Sequence, residues 1–249
     1  MQDNLILLSC NIARNLVNKF DGMLYLVPTP IGNLSDITLR AIEVLNETDL
    51  ILAEDTRQTG KLLRHFNIEN QLRSYHSHNE HREVNHIIEM LKSGQSIALV
   101  SDAGSPAISD PGFLITRACH RENIKVVALP GATAFVPALI ASGLACNRFY
   151  FEGFLPQKKG RHTRWLYLKE LRDTIVLYES PYRVLKCLSE IELHMGDERM
   201  VCTAREISKV YEEVKTLPIN KLLEYHQTKD KIRGEFVIII GKSDKADYQ

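Results

Sequence analysis

This sequence predicts a two-domain α/β fold, and three observations predict it. Residues 23–141 pass five times through a short apolar run, a polar loop and an amphipathic stretch, the cycle of β-α units that build a parallel sheet. After Gly143 the rhythm changes, and two strand-like segments follow each other with no room for a helix between them. A mixed or largely antiparallel sheet is therefore expected in the second half. The residues with distinctive chemistry gather just after the apolar runs of the first half instead of being spread evenly.

The elements follow in order. Residues 24–27 read as a strand, and 38–45 as a helix with Ser35 or Asp36 near its cap. Residues 50–53 form a second strand, followed by a helix over 58–66, a weaker strand at 72–75 and an i, i+3, i+4 apolar stripe over 84–91. Residues 97–100 read as a strongly buried strand. A helix from 111 to 121 follows, with Pro111 suited to its first turn. Residues 126–129 and a helix over 133–141 complete the cycle. In the second half, strands are expected at 149–151, 174–178, 200–203, 210–215 and 236–240, with helices over 161–172, 181–194 and 218–226. The boundary is placed near residues 142–147, giving an N-terminal domain over 23–143 and a C-terminal domain over 144–242. Residues 1–22 are an extension outside the fold, and 243–249 a loose polar tail.

Composition excludes several classes. With 31 Lys plus Arg against 31 Asp plus Glu, no global field favours a polyanion, so any RNA contact must come from a local patch. The five cysteines, Cys10, Cys119, Cys146, Cys187 and Cys202, form no C-x-x-C pair and sit among apolar neighbours, as expected of thiols in a reducing compartment. No apolar run reaches the roughly 18–20 residues that span a bilayer. Leu7-Leu8-Ser9-Cys10 resembles a lipoprotein signal, but the apolar core is short and the front end carries Asp3 and no Lys or Arg. A cytoplasmic protein without membrane contact is expected.

Five loops carry the chemistry. They are Pro28-Thr29-Pro30-Ile31-Gly32-Asn33, Glu54-Asp55-Thr56-Arg57, His76-Ser77-His78-Asn79-Glu80, Ser101-Asp102-Ala103-Gly104-Ser105-Pro106 and Pro130-Gly131-Ala132-Thr133. Each follows a predicted strand, the edge at which parallel sheets bind ligands. One such loop reads as ordinary turn chemistry, whereas five together read as a ligand cleft. There is no G-x-G-x-x-G, P-loop or G-x-S-x-G motif, so dinucleotide, P-loop nucleotide and serine-hydrolase sites are unexpected. His76, His78, His81 and His86 match no zinc spacing, so no metal is expected.

Residues 24–34, 53–57, 101–112 and 129–134, with Phe151-Glu152-Gly153-Phe154-Leu155-Pro156 and Tyr178-Glu179-Ser180-Pro181-Tyr182-Arg183, resemble the signature blocks of the ribosomal RNA small-subunit methyltransferase I group of the tetrapyrrole methylase superfamily. The resemblance runs from Met23 to about Gly241, and residues 101–112 are its most specific block. It implies a two-domain class III methyltransferase fold and a homodimer. It also implies S-adenosyl-L-methionine as donor, bound between the domains, and 2′-O-methylation of a decoding-centre cytidine in 16S ribosomal RNA. Residues 1–22 lie outside the pattern, which makes Met23 the expected start. The chain also ends soon after Gly234-Glu235-Phe236, where some members carry a further segment.

The resemblance carries over to particular residues. The implied donor contacts are Pro30, Gly32, Ser101, Asp102, Ala103, Gly104, Ser105, Pro106, Ala132, Thr133, Tyr178 and Gly234, small residues allowing close approach of the backbone. A ribose hydroxyl is a poor nucleophile, so a base is expected among Asp55, Glu54 and Glu179, with Glu206 a weaker choice. Arg57 and Arg183 could hold a phosphate or the ribose, and the competing reading is that such carboxylate–arginine pairs fix loops. Lys158, Lys159, Arg161 and Arg164 put four cations in seven residues, suited to an RNA backbone or equally to a solvated helix start. Arg183 is counted with them as an RNA contact. Trp165 opens an apolar stripe with Leu168 and Leu171 and is expected in the core. A tetrapyrrole-precursor methyltransferase and a non-catalytic RNA-binding assembly factor are the alternatives.

Overall fold

The computed structural model describes residues 22–242, whose contacts divide into two units. The expectations for residues 1–21, Cys10 included, and for the tail at 243–249 lie outside the described residues.

The first unit comprises the described residues up to Thr29 together with Ile37–Gly131. Its elements are β1 (Met23–Leu26), α1 (Leu39–Glu47), β2 (Leu50–Ala53), α2 (Thr56–His65), β3 (Leu72–Ser74), α3 (Glu80–Lys92), β4 (Ile97–Val100), α4 (Phe113–Arg121) and β5 (Lys125–Ala128). The strands lie in the order β3-β2-β4-β1-β5, and every pair is parallel. Both faces of this sheet are covered, which is why its central strands are apolar at consecutive positions. Leu50, Leu52, Ile97 and Leu99 pack with Ile87, Ile88 and Leu91 of α3 and Ile115 and Cys119 of α4. The alternate residues Ile51, Ala53, Ala98 and Val100 pack with Ala41 and Leu45 of α1 and Leu63 of α2.

That division positions the site. Right-handed crossovers that run towards the β3 edge place α1 and α2 on one face, and those running back place α3 and α4 on the other. The connection leaving β4 therefore goes to the face opposite those used after its two neighbours, β1 and β2. A crevice opens beyond the carboxyl end of β4.

The starts of α1 and α4 are built differently from expectation. Thr38, not Ser35 or Asp36, caps α1, its Oγ1 accepting the Ala41 amide at 3.0 Å, while Leu34–Asp36 form a 3₁₀ turn. Pro111 precedes α4 instead of opening it, because Gly112 at φ 139° turns the chain first.

The second unit comprises Pro30–Asp36 and the residues from Ala132 onward. It contains α5 (Phe135–Ala141), β6 (Phe149–Phe154), α6 (Arg161–Leu168), β7 (Thr174–Glu179), α7 (Val184–Met195), β8 (Met200–Arg205), β9 (Glu213–Pro218), α8 (Ile219–Gln227) and β10 (Phe236–Ile240). Its sheet, ordered β6-β7-β10-β8-β9, is mixed: β6 and β7 are parallel and the other pairs antiparallel. The strand expected from 210 begins only at Glu213, since Val210 and Tyr211 occupy an exposed turn.

One sheet face packs Ile175, Leu177, Ile238 and Ile240 against α6, α7 and α8, with Trp165 fully in that core. The other packs Val176, Cys202, Val237 and Ile239 against Ala138 and Leu139 of α5. This corrects the expected boundary near 142–147. The sixth amphipathic stretch continues the first domain's rhythm in sequence, yet its apolar face is buried on the second sheet, so the division falls at Gly131 and Ala132.

Candidate functional site

The loop after β4 is held in place by its own hydrogen bonds. Thr29 and Gly104 exchange backbone hydrogen bonds, each 2.9 Å, joining the ends of β1 and β4. The buried Thr29 hydroxyl donates to the Ser101 carbonyl at 3.1 Å, and the buried Ser101 hydroxyl donates to the Gly104 carbonyl at 3.2 Å. Gly104 has φ 84°, a conformation that lets the chain reverse so soon after a buried strand. Asp102 and Ala103 are exposed at the tip, while Gly104 and Pro106 are buried beneath it.

The loop then makes a second, more strained turn. Ala107 and Ser109 both have positive φ, 68° and 65°, and the Ala107 amide donates to the Pro111 carbonyl at 3.2 Å. Left-handed backbone at two non-glycine residues persists only where the surroundings over-determine it. Gly112 is part of that constraint: a Cβ there would lie 3.0 Å from Leu99 Cδ2 and 3.1 Å from Ala107 Cβ. Gly112→Ala is expected to destabilise the protein by about 1–3 kcal/mol. The midpoint of urea unfolding measures it, and an unchanged midpoint would show the loop yielding freely.

Carboxylates converge on this crevice. A cleft of about 380 Å³ lies at the strand ends, lined among others by Glu54, Ser77, Glu80, His81, Ser109 and Asp110. Burial and the Asp102 charge push the Glu54 carboxyl above its ordinary value. Burial, with the Glu54 and Asp102 charges behind it, pushes Asp110 up to about 6, although a Ser101 hydrogen bond opposes the rise. Glu80 Oε2 is a buried atom without a hydrogen-bond partner. Sequence reasoning passes over Asp110, because Ser-Asp-Pro-Gly reads as turn chemistry. Its only signal is its place within residues 101–112.

The expected bases fare differently. Asp55 caps α2, accepting the Arg57 amide at 2.8 Å and two guanidinium bonds at 3.1 and 2.9 Å. Those bonds hold its carboxyl at about 2, so it is a weak proton acceptor at neutral pH. Its own amide donates to Asp102 Oδ1 at 2.9 Å, tying the loop after β2 to the loop after β4. Arg57 is therefore engaged in this loop pair while its side chain remains largely exposed. Glu54 stays half-buried on the cleft wall.

Glu179 and Arg183 belong to the second unit, where Glu179 is buried at the end of β7. It accepts the Ser180 amide and Arg183 Nε, both at 2.8 Å, and lies 3.5 Å from Arg161. The pair with Arg183 thus has the loop-fixing geometry. Arg161 departs most from expectation. It is 4% exposed, bonds Glu190 at 2.6–3.1 Å and donates to the Pro156 carbonyl at 3.1 Å. Arg164 is half-buried against Glu152, Tyr150 and the Tyr167 ring. Of the four cations, only Lys158 and Lys159 are exposed.

The other expected donor residues of the second unit lie in Pro30–Asp36, at Ala132 and Thr133, on β7 and before β10. Pro30, Ala132, Thr133, Tyr178 and Gly234 are half-buried, and Gly32 is exposed. The Tyr178 ring is held edge-on by Phe151 at 5.3 Å between centroids. Gly32 and Gly234 need to be glycine for a reason other than ligand approach. A Cβ would meet Lys209 Cγ at 2.4 Å above Gly32, and Glu206 Cγ at 2.4 Å above Gly234. Glu206 itself is paired with Lys209 at 2.9 Å and accepts the Glu235 amide at 2.9 Å, which occupies it structurally. Among the described residues, no group of three or more His, Cys, Asp and Glu is placed to hold a metal ion. None of their helices is long and apolar enough to cross a membrane.

A family model described as Tetrapyrrole (Corrin/Porphyrin) Methylases matches residues 23–223. A protein of Synechocystis sp. named Ribosomal RNA small subunit methyltransferase I is 47% identical over 227 residues, which is 91% of this chain and 81% of that one. Its namesake from Escherichia coli O157:H7 is 47% identical over 221 residues, 88% of this chain and 77% of that one. Among solved structures, a diphthine synthase aligns with a TM-score of 0.67 at 15% identity, over 88% of this chain and 90% of that one. A uroporphyrin-III-C-methyltransferase from Thermus thermophilus aligns with a TM-score of 0.60 at 20% identity, over 89% and 95%. These structural likenesses are of fold.

Proposed function

We infer the function from one premise: the chain belongs to the tetrapyrrole (corrin/porphyrin) methylase family. It is a methyltransferase. We propose that its donor is S-adenosyl-L-methionine and its acceptor the ribose 2′-hydroxyl of a decoding-centre cytidine in 16S ribosomal RNA, modified in the cytoplasm by a homodimer. The observation that carries this reading is the shared name of relatives 47% identical along about nine tenths of the chain.

The chemistry of the strand-end loops suits that donor. A sulfonium centre and an ammonium group favour an edge bearing Glu54 and Asp102, and Ala103 is exposed at the tip of the same loop. Ser101, Asp102, Ala103, Gly104, Ser105 and Pro106 would form the main cradle. In the same reading, Pro30, Gly32, Ala132, Thr133, Tyr178 and Gly234 contribute from the second unit, the two glycines through backbone. The bound donor supplies an activated methyl group for in-line displacement. The protein's task is then to align the acceptor oxygen and remove its proton. Arg57 and Arg183 remain candidates for the acceptor's phosphates through the guanidinium edges their carboxylates leave open.

The test is methyl transfer from labelled donor to small ribosomal subunits, followed by mapping of the label. Label on one cytidine ribose is expected, whereas label on a tetrapyrrole precursor with none on RNA would overturn the proposal. Calorimetry with S-adenosylmethionine alone tests the donor. Lys158 and Lys159 are proposed to contact the RNA backbone. Changing both to alanine is expected to reduce the slope of log affinity against log salt by roughly 1.4–1.8, with donor affinity unchanged. An unaltered slope, or equal loss of donor binding, would remove that role.

A further inference from the structure

We propose that Asp110 is the proton acceptor of the reaction, receiving the hydrogen of the attacking hydroxyl in the cleft between the ends of β2, β3 and β4. This rests on the reading of the reaction as ribose methylation and adds to it the residue that performs the deprotonation.

Three independent features of the first unit lead there. The first is space. At about 380 Å³ the cleft falls within the range of roughly 300–1,000 Å³ found for small-molecule sites. Its wall combines the carboxylates Glu54, Glu80 and Asp110 with His81 and the hydroxyls of Ser77 and Ser109. Such a wall offers acceptors to a sugar hydroxyl while keeping one apolar side at Phe113 and Leu114. The second is rigidity. Asp110 lies between Ser109, held at φ 65°, and the Pro111 carbonyl that accepts the Ala107 amide, so its backbone is constrained on both sides. Strain maintained at one loop and nowhere else on this sheet edge is expected where a side chain must be aimed.

The third is charge. Burial opposes the ionisation of Asp110, as do the charges of Glu54 from the end of β2 and Asp102 from the end of β4, while a Ser101 hydrogen bond favours it. Glu80 and His81 at the start of α3 complete the titratable lining. The carboxyl is pushed up to about 6. It is therefore ionised at neutral pH yet a far better base than an ordinary aspartate, the compromise that proton transfer near pH 7 requires. Asp55, held at about 2, fails on basicity, and Glu179, buried among guanidinium groups, fails on access.

The step balances as follows. The acceptor oxygen forms its bond to the methyl carbon while the carbon–sulfur bond breaks, and the electron pair of that bond stays with sulfur. The hydroxyl proton passes to Asp110, which releases it to solvent above pH 6.

The experiment compares the wild type with Asp110→Asn and Glu54→Gln. Single-turnover methyl transfer to small ribosomal subunits is followed from pH 5 to 8.5, alongside donor affinity by calorimetry and carbon-13 NMR titration of the aspartate carboxylates in the free protein. Wild-type rate should rise through a limb near pH 6 and then level off. Asp110→Asn should lose about 100-fold or more in rate, lose the limb, bind donor within about threefold of wild type, and lack one carboxylate resonance that titrates near 6. Glu54→Gln removes a repelling charge and should move the limb to lower pH. An Asp110→Asn enzyme of near wild-type rate, or one whose donor affinity falls as far as its rate, overturns the assignment. If that variant does not fold, a wild-type profile without a limb near 6, or a limb unmoved by Glu54→Gln, overturns it equally. Wild-type enzyme that binds donor but leaves RNA unlabelled overturns the ribose-methylation reading itself, and with it the acceptor proposed for Asp110.

Discussion

Arg161→Ala is expected to lower the free energy of unfolding by about 3–5 kcal/mol, the loss typical of a broken buried ion pair, and to leave RNA affinity unchanged in molecules that remain folded. The guanidinium satisfies two carboxylates at once, Glu190 at 2.6 Å and Glu179 at 3.5 Å, with side-chain exposures of 20% and 1%. Truncation leaves both negative groups facing each other across a core that also contains Trp165, whose Nε1 donates to Glu190 at 3.0 Å. Glu179 keeps Arg183 at 2.8 Å, so the greater burden falls on Glu190. Denaturant unfolding of the variant measures the change, and salt-dependent RNA binding by the folded fraction supplies the contrast with Lys158 and Lys159. A loss below about 1 kcal/mol, combined with weaker RNA binding, would return Arg161 to the RNA-facing group.

The second large effect is a loss of stability in mild acid that originates at His226. This side chain is 1% exposed, its Nε2 lies 2.9 Å from Thr203 Oγ1, and its Nδ1 has no hydrogen-bond partner. Burial, reinforced by the Lys229 charge, lowers its pKa from 6.5 to about 4. A folded value below the unfolded one means that the native protein resists protonation. The stability is fully present above about 6.5 and is lost as pH falls towards 4, amounting to roughly 3 kcal/mol over that window. Asp110 acts with the opposite sign. Its carboxyl, raised from 3.8 to about 6, weakens the fold at neutral pH, and protonation relieves this as pH falls from about 6 towards 3.8. The wild-type curve is thus flattened, and the difference between wild type and His226→Gln isolates the histidine. As pH drops from 7 to 4, urea midpoints should fall more steeply for wild type than for the variant. Parallel curves would show that His226 is protonated without penalty.

These two residues mark where reading the chain stops being sufficient. The strands and their helices were legible because a covered parallel sheet demands continuous apolar runs, and Ile97–Val100 satisfies both faces in four residues. A cleft at this edge was expected because turn residues recur after each run and carboxylates after three of them, and Glu54 does line a cleft at those strand ends. The assignment of α5 was not legible. An amphipathic helix states that it will bury a face, not against which sheet, and only the packing of Ala138 and Leu139 on Val176 and Val237 decides that.

Local pattern and tertiary environment thus govern different properties of this protein. The order of elements, the parallel and mixed sheets and the edge at which the cleft opens depend on periodicity and turn chemistry, which neighbouring residues carry. The working charge of each side chain depends on partners distant in sequence. Arg161 is drawn inward by Glu190, 29 positions away, and the Asp55 amide meets Asp102 across 47. Asp110 owes its raised pKa first to burial and then to the charge of Glu54, on a different strand end. Desolvation and pairing act through space. Side chains singled out in the sequence therefore became a cap (Asp55), an inward ion pair (Arg161), a loop clamp (Glu179 with Arg183) and a cleft wall (Glu54), while the proposed base, Asp110, lies at a position that turn chemistry had concealed.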